Sequence, residues 1–293
     1  MKTSGTFAHE VLPSLPAGGD ALHITPEDFV APGALPHNAF GMDRQWIERR
    51  SRGLFRFLCD RYWRIETVGL EHIPPSGPAV LVGAHRGFMP WDAIMALHLI
   101  LGKTGRVPRF LVHPGLLQFS PIARIITKLG GVLACRANAE RILQSGELLG
   151  FFPEGVKGAF TPFRHAYQLH SFGRNTFVRL AARYQAPILP FVTVGSAEVF
   201  PIFATIQSRR WKRYSKWPCI PISTFPFFPL PLPVKWPTRF LPPIPVPQRF
   251  ATASQAEVKN MASEVRLGMQ EAIDQIIRSR RSLFFGSVFP QRD

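Results

Sequence analysis

Two short apolar runs each end abruptly in a cluster of polar and small residues, and this pairing limits the fold more than any other feature of the chain. Residues 79–84 read Ala-Val-Leu-Val-Gly-Ala and run into His85, with Asp92 seven residues further on. Residues 148–152 read Leu-Leu-Gly-Phe-Phe and run into Pro153-Glu154-Gly155-Val156-Lys157-Gly158. A continuous apolar run of this length reads as a buried strand, as in a parallel sheet covered by helices. In open parallel sheets ligands bind just beyond the carboxyl ends of the strands. If both runs are strands of one sheet, a base, an acid and a basic, Gly-rich loop meet on one edge.

The rest of the chain keeps the same rhythm. Further strands are predicted over residues 64–69, 109–112, 131–134 and 187–194, and helices over 43–64, 91–101, 116–128, 138–144 and 175–184. Pro90 stands where proline suits the opening of the helix over 91–101. Strands alternating with helices predict an α/β fold, a mostly parallel sheet flanked by helices. Residues 218–247 hold eleven prolines among large apolar residues. Proline has no N–H to give to a ladder, so this segment is not expected to supply central strands. Beyond it, Ser254 and Glu257 form a capping box. Val258, Met261, Val265, Met269, Ala272, Ile273 and Ile276 follow at helical spacing. The expected organisation is a loosely ordered leader over 1–42, an amphipathic helix over 43–64, the main α/β domain over 65–250, and a C-terminal helix and tail over 251–293.

Composition narrows the partners. A net charge of +16 and a pI near 10.8 require an anionic partner: a membrane surface, nucleic acid or phosphorylated substrates. The basic, aromatic run from Arg209 to Tyr214 can bind nucleic acid in principle. It borders the apolar segment containing Phe225, Phe227 and Phe228, and there it reads as a patch that meets lipid phosphates. The expected partners are membrane lipids and not nucleic acid. Cys59, Cys135 and Cys219 lie far apart, and the nine histidines include no HExxH pair. Neither a metal site nor a disulfide framework is expected, and a reducing compartment is the natural setting.

Residues 1–40 lack the basic and apolar regions of a signal peptide. No stretch of about 18 apolar residues is free of charges and prolines. A peripheral protein on the cytoplasmic face of a membrane is expected. The helix over 43–64 places Trp46, Ile47, Leu54, Phe55, Leu58 and Tyr62 on an approximate stripe, which suits either packing on the domain or lying in an interface. Gly102-Lys103-Thr104 imitates the end of a P-loop, but the first glycine of that motif would fall at Leu97. No nucleoside triphosphate site is expected.

The chemistry points to proton abstraction from a substrate. A histidine with a pKa of about 6.5 can take a proton from a hydroxyl at neutral pH. Asp92 can accept from the other ring nitrogen, fixing the tautomer and stabilising the imidazolium. The chain has no G-x-S-x-G elbow, and no cysteine has a histidine close in sequence. The hydroxyl is therefore assigned to a substrate. In the second cluster, two glycines let backbone approach a ligand, turned N–H groups can cradle an anion, and Lys157 adds a point charge.

Four motifs in this order resemble the glycerolipid acyltransferase superfamily: His85…Asp92, Gly130…Arg136, Phe152-Pro153-Glu154-Gly155 with Lys157, and Ala186-Pro187-Ile188-Leu189-Pro190. The resemblance spans about residues 64–245, and the stretch from Tyr167 to Arg174 is similar to a bacterial branch related to monoacylglycerol acyltransferases. Six residues separate His85 from Asp92 where the familiar spacing has four, and the longer gap also looks like that branch. Lys157 replaces a common arginine, which keeps the charge and loses bidentate phosphate binding.

The resemblance implies that residues 65–250 form an acyltransferase domain and that no cofactor is needed. His85 would deprotonate a lipid hydroxyl, of lysophosphatidate or monoacylglycerol type, for attack on the thioester of acyl-CoA or acyl carrier protein. Asp92 would orient His85. Glu154 and Gly155 would position the acceptor, and Arg136 and Lys157 would hold its anionic group. The alternatives are another lipid acceptor, such as a lyso-aminolipid or fatty alcohol, and a non-enzymatic lipid-binding protein on the same fold.

Overall fold

A computed structural model describes residues 39–289, apart from 88, 216, 218 and 225–229. The leader expected over 1–42 therefore lies almost wholly outside the described residues, as do Phe225, Phe227 and Phe228.

Nine strands are described: β1 Glu66–Val68, β2 Ala79–Gly83, β3 Arg109–Val112, β4 Val132–Leu133, β5 Leu148–Phe151, β6 Ile188–Thr193, β7 Ile202–Ile206, β8 Ile220–Ser223 and β9 Pro237–Phe240. Seven form one sheet in the order β1-β9-β6-β2-β5-β3-β4, and β7 and β8 form a separate antiparallel pair. The five strands from β6 to β4 are mutually parallel, and β1 and β9 run against them. The two apolar runs, β2 and β5, are adjacent and in register, Val80 opposite Leu149. Their polar clusters consequently emerge side by side.

The helices are α1 Arg44–Arg50, α2 Trp91–Thr104, α3 Pro114–Leu117, α4 Ser120–Lys128, α5 Arg136–Gln144, α6 Val156–Ala159, α7 Thr176–Arg183, α8 Ser196–Val199, α9 Arg209–Ser215 and α10 Gln255–Ser279. Side chains alternate across the sheet, and each face has its own core. Val80, Val82, Leu149 and Phe151 pack with residues of α5, α7 and α10. Ala79, Leu81, Leu148 and Phe191 pack with α2 and with the helical segment that begins at α1. That segment continues beyond α1 through two wide-turn stretches, Ser51–Phe55 and Leu58–Tyr62. It buries Ile47, Phe55 and Leu58 and leaves Leu54 and Phe57 exposed. Among the described residues, no helix is long and apolar enough to cross a membrane.

α10 has the expected capping box: Ser254 accepts from the Glu257 N–H while Glu257 accepts from the Ser254 N–H. All seven apolar positions read from its spacing are buried. Past its end, Arg280 donates to both carboxylate oxygens of Glu198, at 2.5 and 2.7 Å.

Two expectations are corrected. The single helix over 116–128 is broken at Phe119, which is extended (φ −95°, ψ 108°), and α4 restarts with Pro121 in its first turn. The Pro-rich segment does supply an interior strand, since β9 lies between β1 and β6. Only Pro237 falls inside β9, at its first position, where a missing N–H is tolerated. The other prolines flank the strand and leave its ladder intact. Trp236, just before β9, stacks on Trp63 at 4.3 Å between ring centroids.

Candidate active site

β2 ends at Gly83, and the chain must turn sharply before α2 can pack back on the sheet. The turn carries His85, and α2 carries Asp92 in its first turn. The six-residue gap between them is this turn. It brings Asp92 back so that its carboxylate faces His85 Nδ1 at 2.8 and 3.0 Å. Asp92 is buried, and it also accepts from the backbone N–H groups of Arg86 (3.1 Å) and Ala93 (2.8 Å). A carboxylate in a helix's first turn is further favoured by the unpaired N–H groups there. With Nδ1–H donating to Asp92, Nε2 of His85 is left as the proton acceptor. The His85 ring lies 4.9 Å from that of Phe152, which stacks in turn on Phe110 at 5.4 Å.

β5 delivers the second cluster. Glu154 does not stand open beside a substrate. Its Oε1 accepts from Arg86 Nη2 at 2.9 Å and from the His170 backbone N–H at 2.7 Å, and its Oε2 is buried without a hydrogen-bond partner. Arg86 and Glu154 form an ion pair with both side chains almost fully buried, 1% and 0% exposed. The same guanidinium donates to the carbonyls of Gln168 (3.1 Å), His85 (3.3 Å) and Gly158 (3.4 Å). Arg86 thus fastens the His85 turn to the loop after β5.

Gly155 has φ 58° and ψ −144°, a conformation open in practice to glycine alone. The Arg174 guanidinium lies over it, 3.3 Å from where a Cβ would stand. At Gly158 a Cβ would come within 3.0 Å of the His85 carbonyl oxygen, so glycine permits the two loops to touch. Lys157 is exposed on α6 between them. His170 Nε2 is 2.9 Å from Thr161 Oγ1. Burial holds its imidazole below the ordinary histidine pKa, against the opposing pull of the Glu154 charge.

The sheet therefore gathers His85, Asp92, Glu154, Gly155 and Lys157 at the carboxyl ends of β2 and β5. Arg136 is placed differently. It opens α5 after β4, with β5 and β3 between it and β2, and it is exposed and paired with Glu140 at 3.0 Å. Sequence reasoning missed Arg86, Arg174 and His170. A signal for Arg86 existed: a carboxylate at a buried strand end needs a cation, and Arg86 is the one basic residue in the His85–Asp92 segment. Nothing in the sequence marks Arg174 as the cover of Gly155. Cys59 and Cys219 are buried, and burial pushes the Cys59 thiol up to about 12, far from a reactive thiolate.

Residues 64–194 match the family model described as Acyltransferase. An uncharacterized protein of Mycobacterium tuberculosis is 33% identical over 258 residues, covering 84% of this chain and 71% of its own. A human protein described as a DGAT1/2-independent enzyme synthesizing storage lipids is 26% identical over 254 residues, covering 86% of this chain and 74% of its own. The crystal structure of the 1-acyl-sn-glycerophosphate acyltransferase PlsC from Thermotoga maritima shares the fold, with a TM-score of 0.52 at 21% identity, over 82% of this chain and 81% of that one. With the strand-end His–Asp pair and the Phe-Pro-Glu-Gly loop in place, these likenesses assign the chain to the acyltransferase family, within the glycerolipid acyltransferase superfamily.

Proposed function

We propose that this O-acyltransferase moves a fatty acyl group from an acyl thioester, acyl-CoA or acyl carrier protein, to the hydroxyl of a glycerolipid of lysophosphatidate or monoacylglycerol type. The observation that carries the reading is His85 Nδ1 held at 2.8 Å by a buried Asp92 beside a loop that can receive a ligand. His85 Nε2 takes the hydroxyl proton as the oxygen attacks the thioester carbonyl. The new C–O bond forms, the C–S bond breaks, and the proton passes from the imidazolium to the leaving thiolate. Asp92 stabilises the imidazolium in between. No acyl-enzyme is required.

Glu154 acts through Arg86, keeping the Gly155 loop beside His85, and that loop, with the Arg174 guanidinium over Gly155, positions the acceptor. Lys157 supplies positive charge for an anionic headgroup, and Arg136, two strands away and paired with Glu140, contributes less. The protein sits peripherally on the cytoplasmic face of a membrane, which its +16 charge supports.

The test is turnover of acyl-CoA with monoacylglycerol and lysophosphatidate. His85→Ala is expected to cut the rate by a factor of about 100 to 10,000, the usual worth of a positioned base. Asp92→Asn is expected to lower kcat more than donor affinity. Near-normal transfer by folded His85→Ala protein would refute the assignment.

A further inference from the structure

The loops at the carboxyl edge share a distribution of side chains that the chemistry above does not use. α3 and α4 follow β3, the Phe163–His165 turn follows β5, and the β7–β8 pair follows β6, so these segments flank His85 on both sides of β2. They expose Phe119, Ile122, Ile125, Phe163, Phe203 and Ile206, with Phe119 and Phe203 each 62% exposed. Ile122 and Ile125 share the outer face of α4, whereas Ile126 turns inward. Phe203 sits at the irregularity between Ile202 and Ala204, where a bulge re-aims a side chain. The segments also meet one another. β7 lies against the Phe163–His165 turn. Trp217, just after α9, stands 5.2 Å from the His113 ring and 5.5 Å from the Phe160 ring.

Charge sets this rim apart. Between Asp92 and Glu257 the chain has four carboxylates, Glu140, Glu147, Glu154 and Glu198. Glu154 and Glu198 are buried against arginines, Glu140 is paired with Arg136 and Arg183, and Glu147 precedes the amino end of β5. The rim segments contain no acid, and they expose Arg124, Arg164, Arg209 and Arg210. The helical segment that begins at α1 also exposes apolar side chains, Leu54 and Phe57, and it is basic too: Arg49, Arg50, Arg52 and Arg61 are exposed beside the Arg44–Glu48 and Arg56–Asp60 pairs. Exposed apolar side chains ringed by cations alone complement a leaflet with anionic headgroups.

We infer that this carboxyl rim is a membrane-docking face, seating His85 against an anionic lipid leaflet. The inference rests on the lipid-substrate reading and adds the surface and the lipid charge. Flotation with phosphatidylcholine vesicles, with and without phosphatidylglycerol, tests it. Ile122→Ser/Ile125→Ser and Phe203→Ser/Ile206→Ser are each expected to lower the partition coefficient on phosphatidylglycerol vesicles at least about tenfold.

Equal flotation of wild type and both rim variants would overturn the inference, as would indifference of wild type to phosphatidylglycerol. A wild-type dimer in lipid-free buffer that the rim substitutions dissociate, without loss of flotation, would make the rim a face for a second copy and also overturn it. Acyl transfer to a detergent-dispersed acceptor is measured on the same proteins and is expected to be retained by the rim variants. Rim-dependent flotation without any thioester turnover in wild type would sink the enzymatic reading and leave the docking face standing.

Discussion

Replacing Arg86 by Met tests how the two motifs are joined. The substitution leaves the Glu154 carboxylate buried with one donor, the His170 N–H, in place of two. It also strips a donor from the carbonyls of His85, Gly158 and Gln168. Removing one partner of a buried ion pair costs about 3–5 kcal/mol, because the remaining charge stays out of water uncompensated. At about 2–4 °C per kcal/mol for a domain of this size, the melting temperature should fall by roughly 6–20 °C. Arg86→Lys keeps one ammonium but cannot span four acceptors, and should lose about half as much stability.

The double variant Arg86→Met/Glu154→Met removes both charges and should recover at least about 2 kcal/mol relative to additivity. Urea denaturation of the four proteins measures the cycle, with acyl transfer followed at a temperature where all are folded. If Arg86→Met melts within about 2 °C of wild type, or if the double variant is as unstable as the sum of the singles, the pair does not hold the loops together.

Lys157→Ala should weaken a phosphorylated acceptor about tenfold or more in KM and leave monoacylglycerol unaffected, while Arg136→Ala, already paired with Glu140, should do less; acceptor titrations measure both. Equal use of the two acceptors by wild type, unchanged in both variants, would favour monoacylglycerol. The depressed His170 pKa means that the unfolded chain binds the proton more readily. Stability contributed there is present above the unfolded pKa of about 6.5 and is lost as pH falls through the folded value, so denaturation midpoints should decline on acidification and His170→Gln should flatten that decline. Alkaline carbonate should strip nearly all of the protein from membranes and high salt only part of it; retention after carbonate would reveal an integral segment.

The parallel core was legible because β2, β5 and β6 are buried on both faces, which writes them as unbroken apolar runs. α10 was legible because its cap and its stripe agree. β9 was hidden because proline counts report on a segment, while a strand needs only four suitable residues within it. The His85–Asp92 pairing was readable from strand-end position and spacing. The Arg86–Glu154 pair was only half legible: a carboxylate at a buried strand end calls for a cation, but choosing Arg86 depends on β2 and β5 being neighbours, which no local pattern encodes. The placement of Arg136 has the same cause: its distance from His85 is set by strand order, with β5 and β3 inserted between.

The insertion of β9 beside β1 also has a bearing on how the chain is made. The partners of the β1 region come late: Tyr62 to Pro231, Trp63 to Leu232 and Arg64 to Pro233, each 169 residues apart. At elongation rates of about 5–20 residues per second, the β1 region waits on the ribosome for roughly 8–34 s before its neighbour exists. Through that interval Trp63, fully buried at the end, has no Trp236 to stack on, and over its last part, once β6 has been made, the β6 edge is unpaired as well. The nascent chain thus presents an aromatic side chain and an open strand edge together, which are the features chaperones bind and aggregates grow from. Closure of the sheet is a late, long-range event, and slowing translation ahead of residue 231 should lengthen that exposure and lower the soluble yield.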